Sequence, residues 1–159
     1  MKIQAASRQL DGPLLEVTDL KTHFRTERGL VRAVDGVSFT LERGRSLGIV
    51  GESGSGKTVL SRSIMGLNTA GNAVTTGSVR YDGDELVGKR PKQMKELWGA
   101  EMAMVFQDPM TSLNPVVKIG RQLTEHVRKH FGTGKADAKA AAIELLRSVH
   151  IPEPEQRFD

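Results

Sequence analysis

Eight residues, Gly-Glu-Ser-Gly-Ser-Gly-Lys-Thr at 51–58, constrain this chain more than any other stretch. They sit between a short apolar run, Ser-Leu-Gly-Ile-Val at 46–50, and a segment, 57–67, with Leu60, Ile64, Met65 and Leu67 at helical spacing. A short apolar run of this kind has the pattern of a strand buried on both faces, so the order predicted is strand, glycine loop, helix. Glycines let the backbone curl until successive N–H groups point inward, and a helix opening at Lys57 adds the positive end of its dipole. Such a loop is a grip for phosphates. Gly51, Gly56, Lys57 and Thr58 match G-x-x-x-x-G-K-[ST], in which the lysine ammonium reaches the β- and γ-phosphates and the hydroxyl ligates Mg²⁺. Glu52, Ser53, Gly54 and Ser55 complete the cradle. A chance match in a chain of this composition has a probability of roughly one in a hundred, and the flanking strand and helix patterns lower it further.

Around the loop, "LLEVTDL" (14–20) suits a strand. "VRAVDGVSFTL" (31–41) suits a second, broken near Asp35-Gly36. "GSVRYDGDEL" (77–86) reads as a strand and turn, and "AMVF" (103–106) as another buried strand. "PKQMKELWG" (91–99) opens on proline and closes on glycine like a short helix. Helical patterns follow in "VKIGRQLTEHVRKHF" (117–131), with Ile119, Leu123 and Val127 four apart, and in "KADAKAAAIELLRSV" (135–149). The layout is α/β. With 159 residues, 38% of them apolar, the chain can bury one core. A net charge of +4 spread along the chain, with 4% aromatics, argues against a nucleic-acid partner. Absence of cysteine excludes disulfides and cysteine-ligated zinc. The first ten residues lack a signal-peptide apolar core and no apolar run approaches a membrane span, so membrane contact is expected to pass through a partner protein.

The second constellation is "MVFQDPMTSLNP" (104–115), an apolar run ending in Gln107. A glutamine there offers a carbonyl oxygen to Mg²⁺ and an amide to water near a γ-phosphate; as a lone residue it would more often bond its own loop. Taken with "GESGSGKT" some fifty residues earlier, it resembles the ATP-binding subunits of ABC importers, and more narrowly the dipeptide/oligopeptide/nickel branch, over residues 14–159. The resemblance implies a P-loop NTPase fold of the ABC nucleotide-binding type. Residues 1–13 would be an N-terminal extension and 14–106 the P-loop core with an antiparallel β subdomain. Residues 107–159 would hold the Q-loop and the start of a helical subdomain. It implies that Phe24 stacks on adenine, that residues 51–58 cradle the triphosphate of ATP with Mg²⁺ on Thr58 and Gln107, and that Gln107 senses the γ-phosphate. Its implied partners are integral-membrane permease subunits, a second ATP-binding subunit and, indirectly, a solute-binding protein. The implied location is the cytoplasmic face of the inner membrane.

Hydrolysis in that family also uses an LSGGQ-type signature, a strand ending in Asp-Glu and a switch histidine. No such spelling occurs after residue 115, so the chain is expected to correspond to the first half of such a subunit and to be inactive alone. Import of nickel or another solute remains open, as does an unrelated P-loop GTPase or kinase, although no guanine-reading N-K-x-D is present. A non-catalytic nucleotide-binding module is the third class. His126 and His130 are four apart on a predicted helix but lack a third ligand at matching spacing, so a solvated face is expected. Trp98, Met102 and Met104 are expected to pack in or near the core.

Overall fold

The computed structural model describes residues 12–108 and 112–159. The predicted N-terminal extension as far as residue 11, and Pro109, Met110 and Thr111 of the loop after Gln107, lie outside the described residues. The chain forms two compact units, one ending at Lys95 and the other beginning at Glu96.

The first unit is built on a four-stranded antiparallel sheet of order β2-β1-β3-β4, with β1 at Leu15–Thr26, β2 at Gly29–Leu41, β3 at Ala73–Tyr81 and β4 at Asp84–Glu85. Helix α1, Lys57–Ile64, opens with Lys57 and Thr58 of the predicted phosphate grip; α2 spans Pro91–Leu97. Buried Val17, Leu20 and Thr22 line β1 although 17 and 20 differ in parity. A register irregularity between Val17 and Leu20 accounts for this: Asp19 takes a positive φ of 45° and absorbs one residue, which returns Leu20 to the face of Val17. Gly77 on β3 makes room for it, because a Cβ there would lie 2.4 Å from the Asp19 carbonyl oxygen. Val34, Leu60, Met65, Val79, Leu86 and Met94 complete the core of this unit.

Two expectations are corrected. Strand β2 runs unbroken through Asp35 and Gly36, because irregular pairing with β1 absorbs the glycine that sequence reading takes as a break. Residues 46–50 and 103–106 form no strand. Val50 and Val105 are 94% and 96% exposed, and no described strand lies beside either run to take up its backbone hydrogen bonds. A buried-type strand needs neighbours, and apolar composition alone does not make one.

The second unit is helical, with α3 at Ile119–Phe131, α4 at Lys135–Ser148 and a short α5 at Pro154–Phe158 that sequence periodicity does not reveal. Gly132 closes α3 in the left-handed conformation, and the three residues 132–134 turn the chain into α4. Gly120, Thr124, Ala138 and Ala142 are the buried positions of the helix pair. His126 is exposed, with its ring centroid 4.7 Å from that of His130. Trp98, Met102 and Met104 are part-buried, and Trp98 and Met102 bridge through their backbones. Among the described residues no helix is long and apolar enough to cross a membrane.

Candidate functional site

The loop at 51–56 is exposed up to Ser55 and becomes half-buried where it enters α1. Gly54 and Gly56 both adopt positive φ, 83° and 91°, which lets the chain reverse tightly and deliver its amides to one side. Gly56 is the N-cap of α1 and has no Cβ for a second reason: one there would sit 2.2 Å from the carbonyl oxygen of Ala33. Ala33 lies at an irregularity of the β1–β2 ladder, where Thr22 pairs with Val34 but the next residue, His23, pairs with Arg32. The extra residue on β2 is thus the one against which the loop is seated.

The first turn of α1 has no acidic residue and no side-chain cap, so its N-terminal dipole is not offset by protein charge. The Lys57 ammonium folds back over the loop and donates to the Gly51 carbonyl at 2.7 Å, the Glu52 carbonyl at 2.7 Å and Ser55 Oγ at 3.3 Å. The Ser55 amide donates to the Glu52 carbonyl at 3.2 Å. Thr58 is exposed, and its hydroxyl has no partner among the described residues. A free hydroxyl oxygen at a helix N-terminus beside an ammonium is chemistry that suits a phosphate-bound Mg²⁺.

Phe24 is half-buried on β1, paired with Val31 on β2 and Ala73 on β3. Pairing with β3 is regular from Thr22 to Phe24, so strand alternation puts Phe24 on the face where Thr22 meets α1. Its pair Val31 lies two residues from Ala33, so the aromatic ring and the glycine loop share one end of the sheet. Gln107 and Asp108 belong to the second unit, where both are exposed; the Gln107 amide has no partner among the described residues. Among the described residues no group of three or more His, Cys, Asp or Glu could hold a metal ion.

Sequence reasoning did not find the polar knot that seats α1. Thr22 Oγ1 and Ser63 Oγ are 2.7 Å apart, Thr22 Oγ1 and Thr75 Oγ1 3.1 Å, and Asn68 Nδ2 donates to Ser63 Oγ at 2.8 Å. Its signal is faint: a serine at a position of α1 that periodicity reserves for an apolar residue.

A glycine loop seated on an antiparallel sheet and opening a helix is an arrangement whose amides could take a phosphate. The ABC transporter family matches residues 34–158, and the chain belongs to that family. It is 48% identical over 147 residues to the oligopeptide transport ATP-binding protein OppD of Bacillus subtilis. It is 44% identical over 146 residues to the dipeptide transport ATP-binding protein DppD of Escherichia coli. Each match takes in 92% of this chain, which spans 41% of the first relative and 45% of the second. A solved dimeric structure of a bacterial ABC transporter cassette is similar with a TM-score of 0.68, covering 84% of this chain and 56% of that one. At 16% sequence identity, that likeness establishes the fold: an ABC cassette of mixed α/β type, with its antiparallel sheet and helices.

Proposed function

We infer that this chain is the ATP-gripping part of an importer's ATP-binding subunit, with di- or oligopeptides as the class of transported solute. The observation that carries the reading is the Lys57 ammonium held over the open loop by two carbonyls at 2.7 Å, beside an uncapped helix N-terminus. An arriving triphosphate offers that ammonium stronger, charged acceptors, while the amides of residues 51–58 take the remaining oxygens. Phe24 supplies a ring for adenine. Thr58 would hold Mg²⁺, which supplies charge neutralisation on the β- and γ-phosphates when bound; a role for Gln107 on that ion rests on the family resemblance alone.

Peptide as the solute class is supported by the names of OppD and DppD. By the same reading the partners are membrane permease subunits, met through the segment after Gln107 and the helices α3 and α4, a second ATP-binding subunit, and indirectly a solute-binding protein. The subunit would lie peripherally on the cytoplasmic face of the membrane. Hydrolysis would need a water-activating carboxylate after an apolar strand, and residues 116–159 spell none. Loss of such a base costs about 10²–10⁴-fold in rate.

The test is titration of the purified chain with ATP and Mg²⁺, followed by a turnover assay. Saturable binding without turnover above background is expected. Phe24→Ala should weaken binding by about 1–3 kcal/mol, the scale of base–aromatic stacking, and Phe24→Tyr should restore it. Failure to bind ATP at millimolar concentration would overturn the reading.

A further inference from the structure

We propose that Thr22, Ser63, Asn68 and Thr75 are positioning residues that set the span between the base end and the phosphate end of the nucleotide site. The inference rests on Phe24 and residues 51–58 being those two ends.

The hydrogen-bond directions follow from one proton per hydroxyl. Ser63 Oγ donates its proton to the Val59 carbonyl at 2.7 Å, one helical turn back. It therefore accepts from both Thr22 Oγ1, at 2.7 Å, and Asn68 Nδ2, at 2.8 Å. Thr22, having given its proton to Ser63, must accept from Thr75 Oγ1 at 3.1 Å. The result is a one-way chain from β3 through β1 into α1, in which Ser63 has its donor and both lone pairs used. Thr22 is fully buried and Ser63 only 5% exposed, so water does not substitute for these partners.

Helix α1 is thereby held at two points. Its N-terminal end rests on β2, where Gly56 abuts Ala33; the other end is tied to β1 through Ser63 and Thr22. Thr22 is two residues from Phe24, roughly 7 Å along the strand. Ser63 is six residues from Lys57, roughly 9 Å along the helix. The knot thus fixes the helix that opens on the phosphates against the strand that presents the ring. A ligand spanning both ends needs them at one separation. If that separation is only partly populated, affinity for the spanning ligand falls by the same fraction, while a ligand using one end is unaffected.

Inorganic tripolyphosphate uses the loop alone, and ATP uses both ends. In the purified chain Thr22→Val is expected to weaken ATP binding about three- to tenfold, the net worth of one neutral hydrogen bond, and to leave tripolyphosphate affinity unchanged. Thr22→Ser should restore ATP binding. Adding Thr22→Val to Phe24→Ala should cost no further affinity, because the base end is already lost. Should Thr22→Val not fold, Thr75→Val breaks the chain at its half-exposed end and carries the same expectation at smaller amplitude. Equal loss of ATP and tripolyphosphate, no loss of either, or full additivity with Phe24→Ala would overturn the proposal and leave the nucleotide reading standing. An unmutated chain that binds neither probe would refute that reading itself, and this proposal with it.

Discussion

Alanine at position 56 tests the seating of the loop directly. Gly56 has φ 91°, outside the range an L-residue adopts readily, and left-handed backbone alone costs alanine about 1–2 kcal/mol. The added Cβ would also meet the Ala33 carbonyl oxygen at 2.2 Å, well inside van der Waals contact. Relief requires the start of α1 and the backbone of β2 to part by about 1 Å, disturbing packing worth a further ~1–3 kcal/mol. The total is roughly 2–5 kcal/mol, a large part of what a domain of this size possesses. Gly54→Ala is the matched control: φ there is 83°, but no atom lies within 4 Å of an added Cβ, so only the conformational cost applies. Urea unfolding of the three proteins, followed by circular dichroism, reads the difference. Gly56→Ala should unfold at clearly lower urea than Gly54→Ala, or be unfolded in buffer. Equal midpoints for the two variants would show that the contact with Ala33 does not hold the loop.

Two further outcomes are expected. Lys57→Ala should lower affinity for ATP and for tripolyphosphate alike by about 1.5–3 kcal/mol, roughly tenfold or more, when both are measured by titration. Burial pushes the Glu85 carboxyl up, but the hydrogen bonds it accepts from the Ser78 hydroxyl and the Val79 and Val87 amides outweigh that and leave it below its ordinary value of 4.5. A lowered folded-state value contributes stability that is fully present above pH 4.5 and is lost as pH falls through the folded value, so Glu85→Gln should flatten stability against pH below 4.5 in acid unfolding.

Local signals made much of this fold legible. The pattern Gly51-x-x-x-x-Gly56-Lys57-Thr58 places both the loop and the start of α1, because glycine conformations and a helix N-terminus are properties of a few adjacent residues. Weak alternation finds the start of β1 and β-branched content finds β2, while apolar residues four apart find α3 and helix-forming composition finds α4. The bulge at Asp19 was not readable, because it depends on a glycine 58 positions away, Gly77, standing opposite it on β3. Ser63 escaped for a related reason: a hydroxyl at a core position is an error by periodicity and becomes sensible only once Thr22, Asn68 and Thr75 are seen around it.

The unpaired run at 46–50 also says how the loop is held. Sequence reasoning hangs the loop between a buried strand and a helix, with both ends anchored. In this structure only the helix end is seated on the sheet, through Gly56 and Ala33; Leu47 and Ile49 are nearly half exposed and Val50 almost wholly so. The Gly51 side of the loop is instead held to α1 by Lys57, whose ammonium bonds the carbonyls of Gly51 and Glu52. One side chain therefore has two tasks that compete. The ammonium ties the loop to its helix, and a phosphate bound there as proposed would have to draw it away from those carbonyls. Binding then costs the loop its own tie unless the amides of residues 51–58 close on the phosphate in exchange. The sign of the Lys57→Ala effect on the ligand-free protein follows: the loop should lose order before any nucleotide is added, and amide hydrogen exchange at residues 51–56 should quicken. Unchanged exchange in that variant would mean that the ammonium contributes nothing to the loop until the phosphate arrives.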